Sequence, residues 1–428
     1  MIRAIYNDLL IWKNARQRKP LILDGARQVG KTWIINEFGR NEFQYVVYLN
    51  FESSDRLRSL FSMDFDTKRI MASIEIEANQ EIKAENTLIV FDEIQEAERG
   101  LTVLKYFYEQ RPELYIVAAG SLLGISLQRN NSFPVGKVDF LKMYPMSFLE
   151  FLENIGQALL KSHLEAKMWN VIASFHEKLI GYLRLYYFIG GMPEAVASYI
   201  SQNDLHAVRS IHQKIILGYE NDFAKYAPIG IVPKIRLVWT HIISQLAKEN
   251  RKFIYGQLKK GSRAKDFQEA IDWLVSAGLV LKVNLVENPT IPLKAYTNLD
   301  SFKLLLMDIG LLNAMADVDP RILLDKNKIL IEFKGAMTEQ FVGQQLKIKT
   351  DLYYWTTTRA TAEIDFIIQC EDHIIPIEVK AEENVKAKSL KVYVDKFKPA
   401  LAIRTSMTSF KDEGWLTNVP LYGISSVI

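Results

Sequence analysis

Short, near-continuous apolar runs punctuate the first 120 residues of the chain: Leu21-Ile22-Leu23, Tyr45 to Asn50, Thr87 to Phe91 and Leu114 to Ala119. Runs of this length without strict alternation predict strands buried on both faces, as in a parallel sheet covered by helices. Residues 1–143 are therefore expected to form an α/β, doubly wound domain. The spacing turns helical from about Tyr144 to Asn313, as in Phe148-Leu-Glu-Phe-Leu152 and Ile235 to Leu246. Within that stretch, Phe267 to Ala277 reads as an amphipathic helix. Gly278 to Val286 and Lys294-Ala-Tyr296 follow as the two strands of a winged-helix-like unit. Beyond residue 314, a helix over Thr338 to Leu346 precedes strands at Tyr353 to Trp355, Ala362 to Ile368 and Ile374 to Lys380, which predicts a small α/β domain. The expected organisation is 1–143, a helical lid over 144–225, a winged-helix-like domain over 226–313 and a C-terminal domain over 314–428.

The first apolar run leads directly into Gly25-Ala26-Arg27-Gln28-Val29-Gly30-Lys31-Thr32, a full match to the Walker A pattern G-x-x-x-x-G-K-[ST]. In a strand–loop–helix setting such a loop cradles phosphates with its backbone N–H groups, the lysine reaches the β- and γ-phosphates, and the threonine hydroxyl ligates Mg²⁺. The run Thr87 to Phe91 ends in Asp92-Glu93, a Walker B pattern. Asp92 is expected to hold Mg²⁺ and Glu93 to polarise the attacking water, because phosphoryl transfer depends on positioning and charge neutralisation. Tyr45 to Asn50 is expected to add a strand between the P-loop strand and the Walker B strand. Ser121, just after the fourth run, is either a sensor of the γ-phosphate or an ordinary turn residue.

Composition narrows the setting. The chain has 428 residues, enough for two or three domains. Its 53 basic and 50 acidic residues leave a net charge of +3, so any surface for nucleic acid must be local. Cys370 is the only cysteine, which excludes an internal disulfide and a cysteine-based metal site. No run approaches the roughly 18 to 20 apolar residues of a membrane span, and the expected location is cytoplasmic. His206, His212 and His241 lack ligand spacing with carboxylates and are given no metal role. Tyr106-Phe-Tyr108 and Tyr186-Tyr-Phe188 read as core rather than as base-stacking platforms.

Over nearly its whole length the chain resembles the prokaryotic AAA-type ATPases that join an N-terminal P-loop domain to a C-terminal domain of unknown function. The stretches that carry the resemblance are Arg16 to Thr32, Leu49-Asn-Phe-Glu52, Phe91-Asp-Glu-Ile-Gln95, Ala119-Gly-Ser121, Tyr144 to Phe151, Gly190-Gly-Met-Pro-Glu194, Met307-Asp-Ile-Gly-Leu311 and Ile364 to Lys380. The resemblance implies binding of ATP with Mg²⁺, hydrolysis, and a physiological role left open. It also implies Gly-Arg ahead of the Tyr-Pro-x-Ser-Phe element, where this chain has Gly136-Lys137. A lysine lacks the planar fork of arginine and is the poorer phosphate sensor. Arg27 and Arg129 are either charge donors to the nucleotide or members of exposed ion pairs.

Asp365, Glu378 and Lys380 lie on two adjacent expected strands, with Glu378 and Lys380 on one face because strand side chains alternate. The set resembles the D…E-x-K core of restriction-endonuclease-like nucleases, in which carboxylates hold a divalent metal and the lysine orients the nucleophile. In the family pattern Glu339 adds a further ligand. The alternative is a retained scaffold in which Glu378 and Lys380 form an ion pair worth less than about 1 kcal/mol. Lys259, Lys260, Arg263 and Lys265 either meet phosphates or form a solvated basic turn. Two outputs follow: an ATPase acting on DNA, or an ATP-driven switch acting on a protein partner. Oligomeric state is left open.

Overall fold

The apolar runs of the first 120 residues become strands of one parallel sheet in the computed structural model, which describes residues 1–121, 123–125, 136–246, 252–258, 261, 263–320, 331–358, 361–381 and 387–427. The strands are β1 (Leu21–Asp24), β2 (Tyr45–Asn50), β3 (Thr87–Asp92), β4 (Tyr115–Ala119) and β5 (Asp139–Lys142), in the spatial order β2-β3-β4-β1-β5. All pair in parallel. The α/β expectation holds, with one correction to strand order. The strand between β1 and β3 is β4; β2 lies at the sheet edge. Side-chain character explains the order, since β3 is buried at every position whereas Tyr45 and Tyr48 of β2 are 39% and 38% exposed. β5 carries charge at both ends and was not evident as a strand. It closes the other edge by pairing Leu23 with Leu141.

Helices Lys31–Glu42, Thr67–Ala78 and Gly100–Gln110 accompany this sheet. Ile22, Ile89, Phe91, Phe51, Phe61, Ile70 and Phe107 meet in one buried cluster. Each fully buried large side chain contributes on the order of 2 kcal/mol, so this cluster holds rigid the strand ends that carry the motif residues. The unit comprises Arg3–Tyr144 together with Ser276–Gly278.

The other unit comprises Met1–Ile2, Pro145–Val275 and Leu279–Ile428. Its first half is helical, as the spacing predicts, with helices including Phe148–Asn154, His176–Ile189, Leu205–Tyr226 and Val232–Leu246. Its second half holds an eight-stranded mixed sheet, ordered β12-β13-β11-β10-β9-β8-β6-β7. The strands are β6 (Val280–Val286), β7 (Thr297–Leu306), β8 (Tyr353–Thr356), β9 (Glu363–Cys370), β10 (His373–Val379), β11 (Ile403–Ser406), β12 (Lys411–Asp412) and β13 (Thr417–Pro420). β6 pairs antiparallel with β7 and parallel with β8, so one sheet carries strands from both sides of residue 314. Lys294-Ala-Tyr296 is corrected from strand to a 3₁₀ turn, Leu293–Tyr296. Leu293 is buried there and its N–H donates to Gln369 Oε1 at 3.0 Å, while the hairpin's second strand is supplied by the buried run Ser301 to Leu306.

Helix Ile331–Lys347 is buried from Ala336 to Leu346 despite its polar residues. Three glutamines explain this. Gln340 Oε1 accepts from Leu306 N at 2.9 Å, Gln344 Oε1 from Ile309 N at 2.9 Å and Gln345 Oε1 from Phe148 N at 2.8 Å. Each satisfies a main-chain donor that would otherwise cost about 1–3 kcal/mol buried and unmade.

Candidate nucleotide site

Gly25 to Gly30 bridge β1 and the helix Lys31–Glu42, in the strand–loop–helix order the motif requires. The turn needs two glycines. A Cβ on Gly25 would lie 2.4 Å from the Met143 carbonyl oxygen, and Gly30, the residue before the helix, has φ +95°. Gln28 also takes a left-handed conformation, φ +65°. Buried Arg3 ties the loop down, donating to the carbonyls of Val29 at 3.0 Å and Tyr144 at 2.7 Å. No motif marks Arg3; only its burial shows the role.

Lys31 is 7% exposed, and its Nζ donates to the carbonyls of Gly25 at 2.6 Å and Ala26 at 2.7 Å. Burial pulls its pKa down to about 8, against the opposing pull of Glu93, Asp24 and Asp92. A buried ammonium held by carbonyls at a helix N-terminus is a cradle suited to phosphate.

The β3 end supplies the acidic side. Thr32 Oγ1 donates to Asp92 Oδ2 at 3.0 Å, the same oxygen that accepts from Tyr48 OH, and Asp92 Oδ1 accepts from the Glu93 N–H at 3.0 Å. Burial and the Asp92 bond raise the Tyr48 pKa, keeping the phenol protonated as a donor. Hydroxyl and carboxylate together form an oxygen-only donor set, the kind that Mg²⁺ takes. Glu93 has φ +52°, an uncommon conformation that turns its side chain toward β4. Ser121 Oγ donates to Glu93 Oε1 and Oε2, at 3.0 Å each, and Gln95 Nε2 donates to Oε2. Sequence reasoning missed Tyr48 and Gln95. Nothing in the spacing singles out a tyrosine on an edge strand, whereas Gln95, two residues past Glu93, was visible only as part of a motif.

Ala26 and Val29 are buried loop positions whose side chains carry no polar group. Arg27 faces Glu52 at 3.9 Å, and Lys137 pairs with Glu109 at 3.1 Å. Arg129, Lys259 and Lys260 lie outside the described residues, while Arg263 and Lys265 are exposed.

Residues 17–152 match the family model described as an AAA domain. That stretch, with its parallel sheet and phosphate loop, is similar to AAA-type P-loop domains. C-terminal to the AAA domain, residues 180–322 match the Domain of unknown function (DUF8612) and residues 334–422 the Domain of unknown function (DUF4143). Among solved structures, the chain is similar to the Walker-type ATPase PABY2304 of Pyrococcus abyssi, with 14% identity, TM-score 0.44, and 74% of this chain and 95% of that one covered. It is also similar to the Aeropyrum pernix ORC1 protein in complex with DNA, with 11% identity, TM-score 0.29, and coverage of 73% and 90%. No curated protein matches the chain.

In the other unit, β9 pairs antiparallel with β10 as far as Ile377 opposite Phe366, the residues next to Glu378 and Asp365. Asp365 Oδ2 accepts from the Val379 N–H at 2.8 Å, and Lys380 Nζ lies 2.8 Å from Glu378 Oε1. Glu378 is 3% exposed, and burial raises its carboxyl pKa even though Lys380 opposes the shift. Glu339 Oε1 instead meets Lys303 Nζ at 3.1 Å, and the same lysine reaches Glu363 at 2.5 Å. Among the described residues, no group of three or more His, Cys, Asp and Glu side chains is placed to hold a metal ion. Lys303 was invisible in sequence because it sits within an apolar strand, with nothing to mark it as the centre of a carboxylate pair. Among the described residues, no helix is long and apolar enough to cross a membrane.

Proposed function

We propose that the AAA domain binds ATP with Mg²⁺ and hydrolyses it, and that the chain uses the nucleotide state as a switch. The observation that carries this reading is the convergence of Thr32, Asp92, Glu93 and Ser121 on one hydrogen-bonded cluster beside Lys31. Thr32 and Asp92 would hold Mg²⁺, which when bound neutralises phosphate charge. Lys31 exchanges the Gly25 and Ala26 carbonyls for phosphate oxygens, Glu93 orients water and accepts its proton, and Ser121 senses the γ-phosphate. Gly25 to Gly30 supply the backbone cradle.

The output is read as DNA-associated, supported by the closeness of Asp365, Glu378 and Lys380 where β9 and β10 adjoin. The Glu378–Lys380 ion pair and the engagement of Glu339 by Lys303 favour the second reading, in which the C-terminal region is a restriction-endonuclease-like scaffold and the switch acts on a protein. Steady-state hydrolysis of Mg²⁺-ATP by the wild type and by Glu93→Gln, with and without duplex and single-stranded DNA at low salt, separates these. Turnover that requires Glu93 and rises with DNA supports the DNA reading. Glu93-dependent turnover indifferent to DNA moves the assignment to a protein partner, and turnover equal in both proteins removes Glu93 as the base.

A further inference from the structure

We infer that Gln95 is the positioning residue of the hydrolytic centre, holding one oxygen of Glu93 in place while the other is released to act as the base. The inference rests on the reading of Glu93 given above and adds the division of labour between its two oxygens. Ser121 Oγ stands 3.0 Å from both Oε1 and Oε2, bridging the carboxylate, and the Ser121 N–H lies 3.4 Å from Oε2. Gln95 Nε2 donates to Oε2 alone. Oε1 thus has Ser121 as its donor, whereas Oε2 is shared by Ser121 and Gln95. When Ser121 turns its hydroxyl toward a γ-phosphate, Oε1 is freed to accept a proton from water. Oε2 stays anchored, so the carboxylate does not swing with the serine.

Two further observations show that Gln95 is built for this orientation. Its Oε1 is buried without a hydrogen-bond partner among the described residues, so the amide spends its acceptor to aim its donor at Glu93. The glutamine also lies against Gly120, where a Cβ would stand 2.0 Å from Gln95 Oε1. Glycine at that position is what leaves the side chain room. A carboxylate misplaced by about 1 Å can cost on the order of a hundredfold in rate, so the anchor bears on kcat rather than on nucleotide affinity.

The test uses the full chain with Gln95→Glu, which keeps the shape but sets a like charge where the donor was, and Gln95→Met, which keeps the volume and removes the donor without adding charge. Single-turnover and steady-state hydrolysis of Mg²⁺-ATP are measured alongside the Kd of a fluorescent ATP analogue and thermal unfolding. The expected result in both variants is a kcat reduced about tenfold or more, KM and Kd within about twofold of wild type, and little further loss when either is combined with Glu93→Gln. Gly120→Ala, which crowds Gln95 without altering it, reproduces the kcat loss. Unchanged kcat in both Gln95 variants, or a loss equally large in the Glu93→Gln background, overturns the assignment. If Glu93→Gln itself turns over like wild type, the reading of Glu93 fails, and that result is distinct from either outcome for Gln95.

Discussion

Lys31 shows how much one side chain gains from its surroundings. Burial, which disfavours the ammonium, outweighs three nearby carboxylates and brings its pKa to about 8. Phosphate requires the charged form, so the sign of the pH dependence is determined. Below pH 8 Lys31 is already protonated and affinity is flat. Above it, binding must take up a proton, and affinity falls about tenfold per pH unit until the pKa of the bound state is reached. Titration calorimetry at pH 7, 8 and 9 in buffers of differing ionisation enthalpy should show proton uptake on binding at pH 9 and little at pH 7. Of the candidate site, Gly25 to Thr32, Asp92 and Glu93 were legible because the motif places each at a chain position. Arg3, Tyr48 and Gln95 were not, because their partners are set by which strands and loops end near one another.

Packing decides at the level of elements. Helix Lys31–Glu42 carries Gly39, an exception to helix propensity worth about 1 kcal/mol against alanine. A Cβ at Gly39 would fall 2.7 Å from Val46 Cγ2 on β2. Gly39→Ala should therefore destabilise the protein by about 1–3 kcal/mol despite the propensity gain. Adding Val46→Ala should recover part of that loss, as read by urea denaturation. The same logic separates elements that sequence reveals from those it conceals. β1, β3 and β4 are short apolar runs and could be read directly. β5, with a charge at each end, and β7, whose buried run starts only at Ser301, could not. Helix Ile331–Lys347 could be read as a helix, yet its burial could not be foreseen, since its glutamines look solvent-facing until the donors of Leu306, Ile309 and Phe148 are placed beside them.

For the whole molecule, the phosphate loop, Asp92, Glu93 and Ser121 all lie in the Arg3–Tyr144 unit, so nucleotide bound there stabilises that unit directly. Saturating Mg²⁺-ATP at one hundred times its Kd should stabilise that unit by about 2.7 kcal/mol. In calorimetry this appears as an upward shift of its transition in the wild type, absent in Lys31→Ala. A shift of equal size in the variant would place the nucleotide elsewhere.

Local periodicity and a contiguous motif encode the α/β class of residues 1–143, the phosphate loop and the positions of Asp92 and Glu93 within a few residues of chain. It took the folded chain to set β4 rather than β2 between β1 and β3, to add β6 and β7 to the C-terminal sheet and to bring Glu339 to Lys303. Those outcomes depend on contacts between residues distant in the chain, where burial of whole faces and satisfaction of main-chain donors outweigh any local preference.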